Sequence, residues 1–342
     1  LLPATETQAD IQITDAFSGS ITNGKITARL EVCQWRKRCQ ISFYNDIRQE
    51  PETLEVFPGS YQIPLLLGRL DGKWIYGEQA ECLEVADEES LVKNLFESAS
   101  KRRKVKVAGK VYDAVWLLSK FIQLTLDRFE NIKYLTFSTP HINVDMAKML
   151  KSIGRHLGVS GERIYVQDYK ESFCQYMFYQ PKELWQYESA LIFCNAKKIK
   201  AYMLRKLNVM NNREKDTFVT VDEVANVYFK ELEMIRLLGE DEESAKSADE
   251  RFKNFIQSVF EKKVISSVYL TGEGFENNWY PNSLKVLCNG RRAFVGNNLH
   301  SKGACYTSFR MSRDGGDGPI YLDEAKLLKQ VSLRMRTRGK EG

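Results

Sequence analysis

Short segments of alternating apolar and polar residues fill the beginning of the chain, after a polar stretch over residues 1–24 that we expect to be an arm. Ile26–Glu31 and Cys39–Tyr44 flank a basic stretch and have the period of two that is typical of a β-hairpin. Further strands, separated by turns such as Pro58-Gly59, are predicted over Thr53–Phe57, Gln62–Leu67 and Lys73–Tyr76. The chain therefore begins with antiparallel strands.

Helical spacing of apolar residues replaces this alternation from Asp87 onward. The predicted helices cover Asp87–Ala99, Ala114–Arg128, Asn143–Leu157 and Tyr169–Phe178. The apolar runs Tyr134–Ser138 and Arg163–Gln167 between them are predicted to be buried strands, and Lys104–Tyr112 a hairpin. Alternation of strands and helices favours parallel strands joined by crossover helices.

The second half of the chain repeats this order. A hairpin is predicted over Ser189–Phe193 and Ile199–Leu204, and an edge strand over Asp216–Val221. Two long helices are then predicted over Val221–Leu238 and Ala245–Lys262, before a buried strand at Ser267–Thr271. Shorter elements are predicted over Pro281–Cys288, Ala293–Val295 and Leu299–Ser308. Two similar α/β halves of this kind would enclose a cleft.

Composition places the chain among ordinary globular proteins. Of its 342 residues, 43% are hydrophobic and 28% charged, which is enough apolar material for a core. The chain contains no run of about 18 uncharged apolar residues, so we expect no transmembrane helix. The first residue is not Met, so we expect a fragment or a processed form.

Cysteine and histidine usage indicates a reducing compartment and no metal centre. The seven cysteines are widely spaced without a Cys-x-x-Cys pair, and only three histidines are present. We therefore expect a cytoplasmic protein without a His- or Cys-based metal site.

The charge balance predicts no nucleic-acid partner, and the missing transmembrane run predicts no membrane partner. Fifty basic against 45 acidic residues give a net charge of +5, a mild excess for this length. The one dense basic cluster, Lys101–Lys104, is open to two interpretations. It is either a solvated turn or a contact for phosphate or an acidic partner.

The segment Val268–Phe275 resembles the adenosine motif of the actin/Hsp70/sugar-kinase superfamily, in which an apolar strand enters a Gly-x-Gly turn. Asn298, which precedes a predicted helix start, and Gly303 resemble the helix entry that closes that site. Asp168–Ser172, centred on Glu171, resembles the connecting motif between the lobes. The chain is similar to the Hsp70-like branch and, within it, to an uncharacterised bacterial family of actin/Hsp70-like proteins.

This resemblance implies two ribonuclease-H-like lobes around an interdomain cleft that holds ATP or ADP. It implies nucleotide contacts from Gly272, Glu273, Gly274, Phe275, Asn298 and Gly303. Glu171 is the one candidate catalytic residue, positioning a water, although the same position suits a solvent-facing residue near a helix cap. The Gly-x-Gly turn is equally open to a structural explanation, because tight turns commonly use glycine.

Both phosphate hairpins depart from the superfamily pattern of Asp-x-Gly. The first reads Cys33-Gln34-Trp35-Arg36, and the second Cys194-Asn195-Ala196-Lys197. Since the carboxylates that would hold Mg²⁺ are missing, we expect Mg²⁺ to be held poorly and ATP hydrolysis to be weak or absent. Asn195 would orient a water, and Arg36 and Lys197 would neutralise phosphate.

The sequence is compatible with three functions. The first is a nucleotide-responsive protein whose closing cleft changes a partner surface, and the second a catalytically dead interaction or assembly module, with self-association as one form. The third is a small-molecule kinase. The predicted domains are an arm over residues 1–24, lobes over 25–185 and 186–310, and an extension over 311–342. The second lobe is expected to carry an inserted helical subdomain over 222–262.

Overall fold

The computed structural model describes residues 25–31, 38–56, 58–82, 88–195, 197–207, 217–232, 242–275, 278–296, 298–313, 318–323, 336–337 and 340–341. The predicted arm over 1–24 lies outside these residues, as does most of the predicted extension beyond Asp323. None of the described helices is both long enough and apolar enough to cross a lipid bilayer.

The described strands are β1 (Lys25–Glu31), β2 (Arg38–Asn45), β3 (Glu50–Thr53), β4 (Ile63–Pro64), β5 (Leu67–Leu70), β6 (Lys73–Tyr76), β7 (Leu91–Val92), β8 (Lys104–Val107), β9 (Lys110–Asp113), β10 (Tyr134–Thr139), β11 (Ile164–Asp168), β12 (Glu188–Cys194), β13 (Lys198–Leu207), β14 (Phe218–Tyr228), β15 (Ile265–Thr271), β16 (Arg292–Val295), β17 (Ile320–Tyr321), β18 (Arg336–Thr337) and β19 (Lys340–Glu341).

The described α-helices are α1 (Glu78–Glu81), α2 (Leu95–Ser100), α3 (Ala114–Leu126), α4 (Val144–His156), α5 (Tyr169–Phe178), α6 (Glu242–Phe260), α7 (Pro281–Leu287) and α8 (Leu299–Met311). Short 3₁₀ turns cover Glu88–Ser90, Gly161–Arg163, Lys182–Trp185 and Glu273–Phe275.

Two mixed sheets with the same core strand order dominate the structure. The first sheet has the order β11-β10-β1-β2-β3, and β4 also pairs with β2. The second sheet has the order β16-β15-β12-β13-β14-β17. In each sheet an antiparallel hairpin (β1–β2, β12–β13) continues into a third antiparallel strand, and the fourth and fifth strands run parallel to the first. The five core strands therefore follow the same path in both halves.

Two helices cover the outer face of each sheet. Leu117, Leu118 and Phe121 of α3 lie in one apolar cluster with the first sheet, together with residues of α4. Phe252 and Ile256 of α6 lie in a second cluster with the second sheet, together with residues of α7. Their apolar positions recur at helical spacing, which is why these segments form helices with one buried face.

The inner helices α5 and α8 each pack on the sheet of the other half. Phe173 and Met177 of α5, which follows the fifth strand of the first sheet, lie in one cluster with Leu191 and Val219 of the second sheet. In the opposite direction, Phe309 of α8 stacks on Tyr44 of β2, with ring centroids 3.9 Å apart. The two halves are therefore joined by an exchange of helices.

Hydroxyl groups bind α8 to the first sheet. The pairs Ser42–Ser301, Thr136–Ser308 and Gln167–Thr307 are hydrogen-bonded at 2.9, 2.6 and 2.7 Å. All six side chains are buried. Because successive residues of a strand face opposite sides, apolar β2 residues face the outer core, and polar ones such as Ser42 meet α8.

The crossing of α5 and α8 requires a glycine. A Cβ atom built on Gly303 would lie 1.8 Å from the backbone oxygen of Ser172. No side chain fits in that space, so the backbones of the two helices are in direct contact.

The expected alternation of strands and helices is confirmed for most elements. Asp113 and Asn143 accept backbone hydrogen bonds as the N-caps of α3 and α4, near the starts that the sequence predicts. The hairpins β1–β2, β8–β9 and β12–β13 also form. The mixed α/β class is thus confirmed.

The predicted helix over Val221–Leu238 is wrong over residues 221–228, which belong to strand β14, whereas residues 230–232 are helical. A β-bulge shifts the register of β14 between Glu223 and Ala225. Along the sequence, Val221, Val224, Ala225 and Tyr228 have the spacing of one helix face, but in the strand Val221 lies in a different apolar cluster from Val224 and Ala225. The expected inserted helical subdomain over 222–262 is corrected accordingly, since α6 packs on the second sheet.

The predicted helix over Asp87–Ala99 is also only partly correct. Leu91–Val92 pairs with β5, and the helix is confined to Leu95–Ser100. Leu91 and Val92 are both buried, as β-pairing on a core requires.

Candidate functional site

A cavity of about 490 Å³ lies between the two halves. It is found where β10 and β12 end and where α5 and α8 begin, beside the start of the helix exchange. The first half contributes Phe96, Glu97, Ser100, Thr139, Pro140, His141, Met146, Tyr169 and Lys170. The second half contributes Leu191, Phe193, Asn195, Lys200, Tyr202, Glu223 and His300. Cavities of this volume hold small organic ligands in other proteins.

A stacked pair of rings connects the two inner helices at this cavity. Tyr169, the first residue of α5, and His300, the second residue of α8, have ring centroids 4.2 Å apart and planes inclined by 13°. His300 is only 1% exposed. The ring pair therefore forms a rigid aromatic wall to which both halves contribute.

A hydrogen-bonded group of three polar side chains lines the wall formed by the second sheet. Lys200 on β13 donates to Glu223 on β14 at 2.9 Å, and Tyr202 shares a hydrogen bond with the same carboxylate. Burial raises the pKa of the Tyr202 phenol, and the charge of Glu223 adds to this. Partial burial alone would raise the pKa of Glu223, but hydrogen bonds from Lys200, Asn226 and Tyr202 lower it below its ordinary value. Glu223 is thus held as a carboxylate beside a lysine ammonium group.

The turn of the second hairpin is closed by a side chain. The Asn195 Oδ1 atom accepts hydrogen bonds from the backbone N–H groups of Lys197 and Lys198, at 3.0 and 2.8 Å. The Asn195 N–H in turn donates to the Lys198 carbonyl at 3.0 Å. Backbone amides that would cradle phosphate in a glycine-rich loop are here bonded to Asn195.

The two glycines of the predicted adenosine turn pack against the end of β12. Gly272 has a φ of 106°, and a Cβ there would lie 2.1 Å from the Cys194 carbonyl oxygen. A Cβ on Gly274 would lie 2.3 Å from the Cys194 Sγ atom. Both glycines are therefore required for backbone packing, whatever they do for a ligand. Burial, and secondarily the charge of Glu273, raises the pKa of the Cys194 thiol.

Phe275 belongs to the core of the second half. It is 4% exposed and contacts the rings of Phe252, Trp279 and Tyr280. Trp279 fixes the bend further, because its indole N–H donates to the Gly274 carbonyl at 2.6 Å. None of residues 272–275 lines the cavity.

The other predicted site residues are dispersed. Glu171 lies in the first turn of α5, where its N–H donates to Asp168 Oδ1 at 2.8 Å, and it does not line the cavity. Asn298 is the N-cap residue of α8, and Gly303 lies in the helix crossing. Lys197 lies in the closed turn, and Arg36 lies outside the described residues. Of the predicted residues that the structure describes, only Asn195 lines the cavity.

Apart from Asn195, sequence reasoning missed the described cavity residues, among them the rings of Tyr169 and His300 and the hydrogen-bonded group of Lys200, Tyr202 and Glu223. The start positions of Tyr169 and His300 in helices that follow strands were an available signal. Lys200 and Tyr202 alternate on one face of β13, which was a second. Glu223 was missed because its segment was predicted to be a helix. The described residues include no group of three or more His, Cys, Asp or Glu side chains arranged to hold a metal ion.

Residues 50–324 match the model of a family described as family of unknown function (DUF5716) C-terminal. The chain belongs to this family. The part that matches the DUF5716 model begins at β3 and ends just beyond β17, so it includes every described residue that lines the cavity. No curated protein matches the chain.

Proposed function

We propose that the chain is an actin/Hsp70-like protein that binds an adenine nucleotide between two ribonuclease-H-like lobes and hydrolyses ATP weakly or not at all. Nucleotide binding would change the closure of the lobes and so the surface offered to a protein partner. The observation that carries this proposal is the cavity shared by two halves of equal strand order.

The topology supports the two-lobe interpretation. Both sheets have the order fifth, fourth, first, second, third, with the second strand antiparallel to its neighbours. In both halves the helix after the fifth strand crosses to the other sheet. The resemblance to the actin/Hsp70 superfamily implies this arrangement. The arrangement therefore supports the proposal by analogy of fold.

The chemistry of the cavity fits an aromatic, anionic ligand. Tyr169, His300, Phe96 and Phe193 supply flat or apolar surface. Lys170 and Lys200 supply positive charge, beside the carboxylates of Glu97 and Glu223. The cavity lies outside the carboxyl ends of strands, where ligands commonly bind in α/β proteins. A nucleotide has both an aromatic base and an anionic phosphate group.

Weak hydrolysis follows from the second hairpin. Its turn residues are Asn195, Ala196 and Lys197, so the turn offers no carboxylate to a metal ion. The Lys197 and Lys198 amides are bonded to Asn195, which leaves the turn unprepared to cradle a transferring phosphoryl group.

The closed turn and the packed Gly272–Phe275 bend also favour a second candidate, an interaction module that binds no nucleotide. In that case the helix exchange would serve a fixed scaffold. The two candidates differ in one measurable property, the affinity for ATP and ADP.

Isothermal titration with ATP and ADP, with and without Mg²⁺, tests the proposal. We expect binding that does not strictly require Mg²⁺, a higher melting temperature with nucleotide, and phosphate release close to background. Lys200→Ala removes a cavity cation and should weaken binding. Lys198→Ala removes an exposed lysine of the same hairpin that does not line the cavity, and should leave binding unchanged.

Absence of nucleotide binding in the wild-type chain would leave the interaction module as the function. Equal effects of Lys200→Ala and Lys198→Ala on nucleotide affinity would instead show that the nucleotide binds outside this cavity.

A further inference from the structure

Trp74 on β6, Tyr112 on β9 and Trp116 on α3 form a compact aromatic stack in the first half. The rings of Tyr112 and Trp116 are stacked with centroids 5.4 Å apart and planes inclined by 14°. Trp74 meets both rings edge-on, at 5.4 and 5.8 Å. Trp116 is nevertheless 46% exposed. A large indole is therefore presented to solvent on a rigid aromatic support.

Basic side chains surround this stack. The Arg69 guanidinium lies 5.5 Å from the Trp74 ring centroid and donates to the Tyr112 hydroxyl at 2.5 Å. Lys120 lies one helical turn after Trp116, on the same side of α3. Lys104, whose side chain is 72% exposed, lies 3.9 Å from Asp113, the N-cap residue of α3. We call Arg69, Trp74, Lys104, Tyr112, Trp116 and Lys120 the aromatic-basic patch.

Positive charge is concentrated in these segments. Residues 67–76 and 101–120 contain nine Lys and Arg against two Asp, whereas the whole chain has an excess of only five basic residues. The rest of the chain is therefore slightly acidic in balance. The mild overall charge, which predicted no nucleic-acid partner, hides this local excess of basic residues, of which Lys101 is paired with Glu97 and Lys104 with Asp113.

We propose that the aromatic-basic patch binds single-stranded nucleic acid. A base would extend the Tyr112–Trp116 stack on the exposed part of the indole, while Lys104 and Lys120 contact phosphates. Proteins that bind single strands without sequence preference combine such stacking rings with cations along the backbone path. Arg69 adds a planar cation beside the rings.

An acidic peptide is the competing partner for a basic surface. Its carboxylates would use the lysines but would leave the flat face of Trp116 unused. The stack therefore favours a ligand that carries aromatic rings and regularly spaced negative charges together, which is the chemistry of a single strand.

Fluorescence anisotropy with a labelled oligothymidylate, at low and at raised salt, tests this proposal. We expect binding that weakens steeply with salt. Trp116→Ala should weaken it about tenfold, the scale of one lost stacking contact. Trp116→Phe should retain most of the affinity, because a ring remains, and Lys104→Glu should weaken binding and flatten its salt dependence.

Lys262→Glu is the matched control for charge, because Lys262 lies in the other half with a side chain 89% exposed. This variant should bind like the wild type. Circular dichroism of each variant reports folding. If Trp116→Ala unfolds, Lys104→Glu remains decisive, since the Lys104 side chain lies at the surface.

No binding at low salt would overturn the proposal. So would an affinity that neither Trp116→Ala nor Lys104→Glu changes, or equal binding of an oligoglutamate of the same charge, which would assign the surface to acidic peptides. None of these outcomes depends on the cavity between the halves, so nucleotide binding there is tested separately.

Discussion

Single buried polar residues determine local geometry in this protein, and Asp249 is the clearest case. Its carboxylate is 2% exposed and accepts hydrogen bonds from the backbone N–H groups of Asn282 and Ser283, both at 2.8 Å. It also accepts from the Ser283 hydroxyl at 2.6 Å. Tyr280 precedes α7 without a side-chain cap, so Asp249 from α6 caps that helix instead.

Asp249→Ala should therefore destabilise the protein by about 2–4 kcal/mol, because buried donors at a helix N-terminus lose an ionised acceptor. Urea denaturation measures the loss in free energy of unfolding. Glu250→Ala, at the exposed neighbouring position on α6, should change it by less than about 0.5 kcal/mol. Similar losses for both variants would contradict the capping role.

Glu223 gives a second expectation at this scale, in its dependence on pH. Its pKa is lower in the folded chain than in the unfolded chain, so ionised Glu223 stabilises the fold above the ordinary carboxylate range. That contribution is lost as the pH falls below about 4.3. Glu223→Gln should be less stable than wild type near neutral pH, within about 1 kcal/mol, and the difference should vanish on acidification.

Urea denaturation at several pH values measures this difference. In a Lys200→Met background the difference between Glu and Gln at position 223 should shrink at neutral pH, because the main hydrogen-bond donor is gone. A stability difference between Glu and Gln that grows on acidification would have the opposite pH dependence. It would show that the pKa of Glu223 is not lowered by folding.

Element-scale structure followed from the sequence wherever one period held over the whole segment. The spacing of Leu117, Leu118, Phe121 and Ile122 specifies a helix with one buried face, which α3 is. The bulge in β14 defeated the same reasoning, because one extra residue converts alternation into a helical spacing. The choice between helix and strand is decided by pairing with β13. That pairing cannot be seen in the residues of β14 alone.

The helix crossing yields the prediction for this scale. Gly303→Ala places a methyl group 1.8 Å from the Ser172 carbonyl oxygen and should destabilise the protein by about 3 kcal/mol or more. Gly161→Ala is the comparison, since its Cβ would meet nothing closer than Arg155 Cδ at 3.6 Å. Melting temperatures of both variants measure the effect, and a well-tolerated Gly303→Ala would mean that the helices separate easily.

At the scale of the whole molecule, the exchange of α5 and α8 makes each half depend on the other. The apolar cluster around Phe173 contains residues of the second sheet, and Tyr44 of the first sheet contacts α8. The sequence indicated two similar halves but not this exchange, since helix packing partners leave no periodic signal. The sequence carried separate signals for Tyr169, His300 and Lys200, in two helix starts and in the alternation along β13, but only the crossing brings these residues together.

We therefore expect a single unfolding transition for both halves. Far-ultraviolet circular dichroism and tryptophan fluorescence should give coincident denaturation curves, because neither sheet keeps a complete inner core alone. Gly303→Ala should lower the common midpoint without separating the curves. Two resolved transitions in the wild-type chain would show that the halves fold independently.

The hydroxyl-rich contact between α8 and the first sheet has a consequence for synthesis on the ribosome. The first half emerges well before α8, which must later cover Ser42, Thr136 and Gln167. A bare apolar face would invite association with other nascent chains during that interval. Polar side chains can hydrogen-bond to water until α8 is synthesised. The helix therefore docks on a surface that has not associated with other nascent chains.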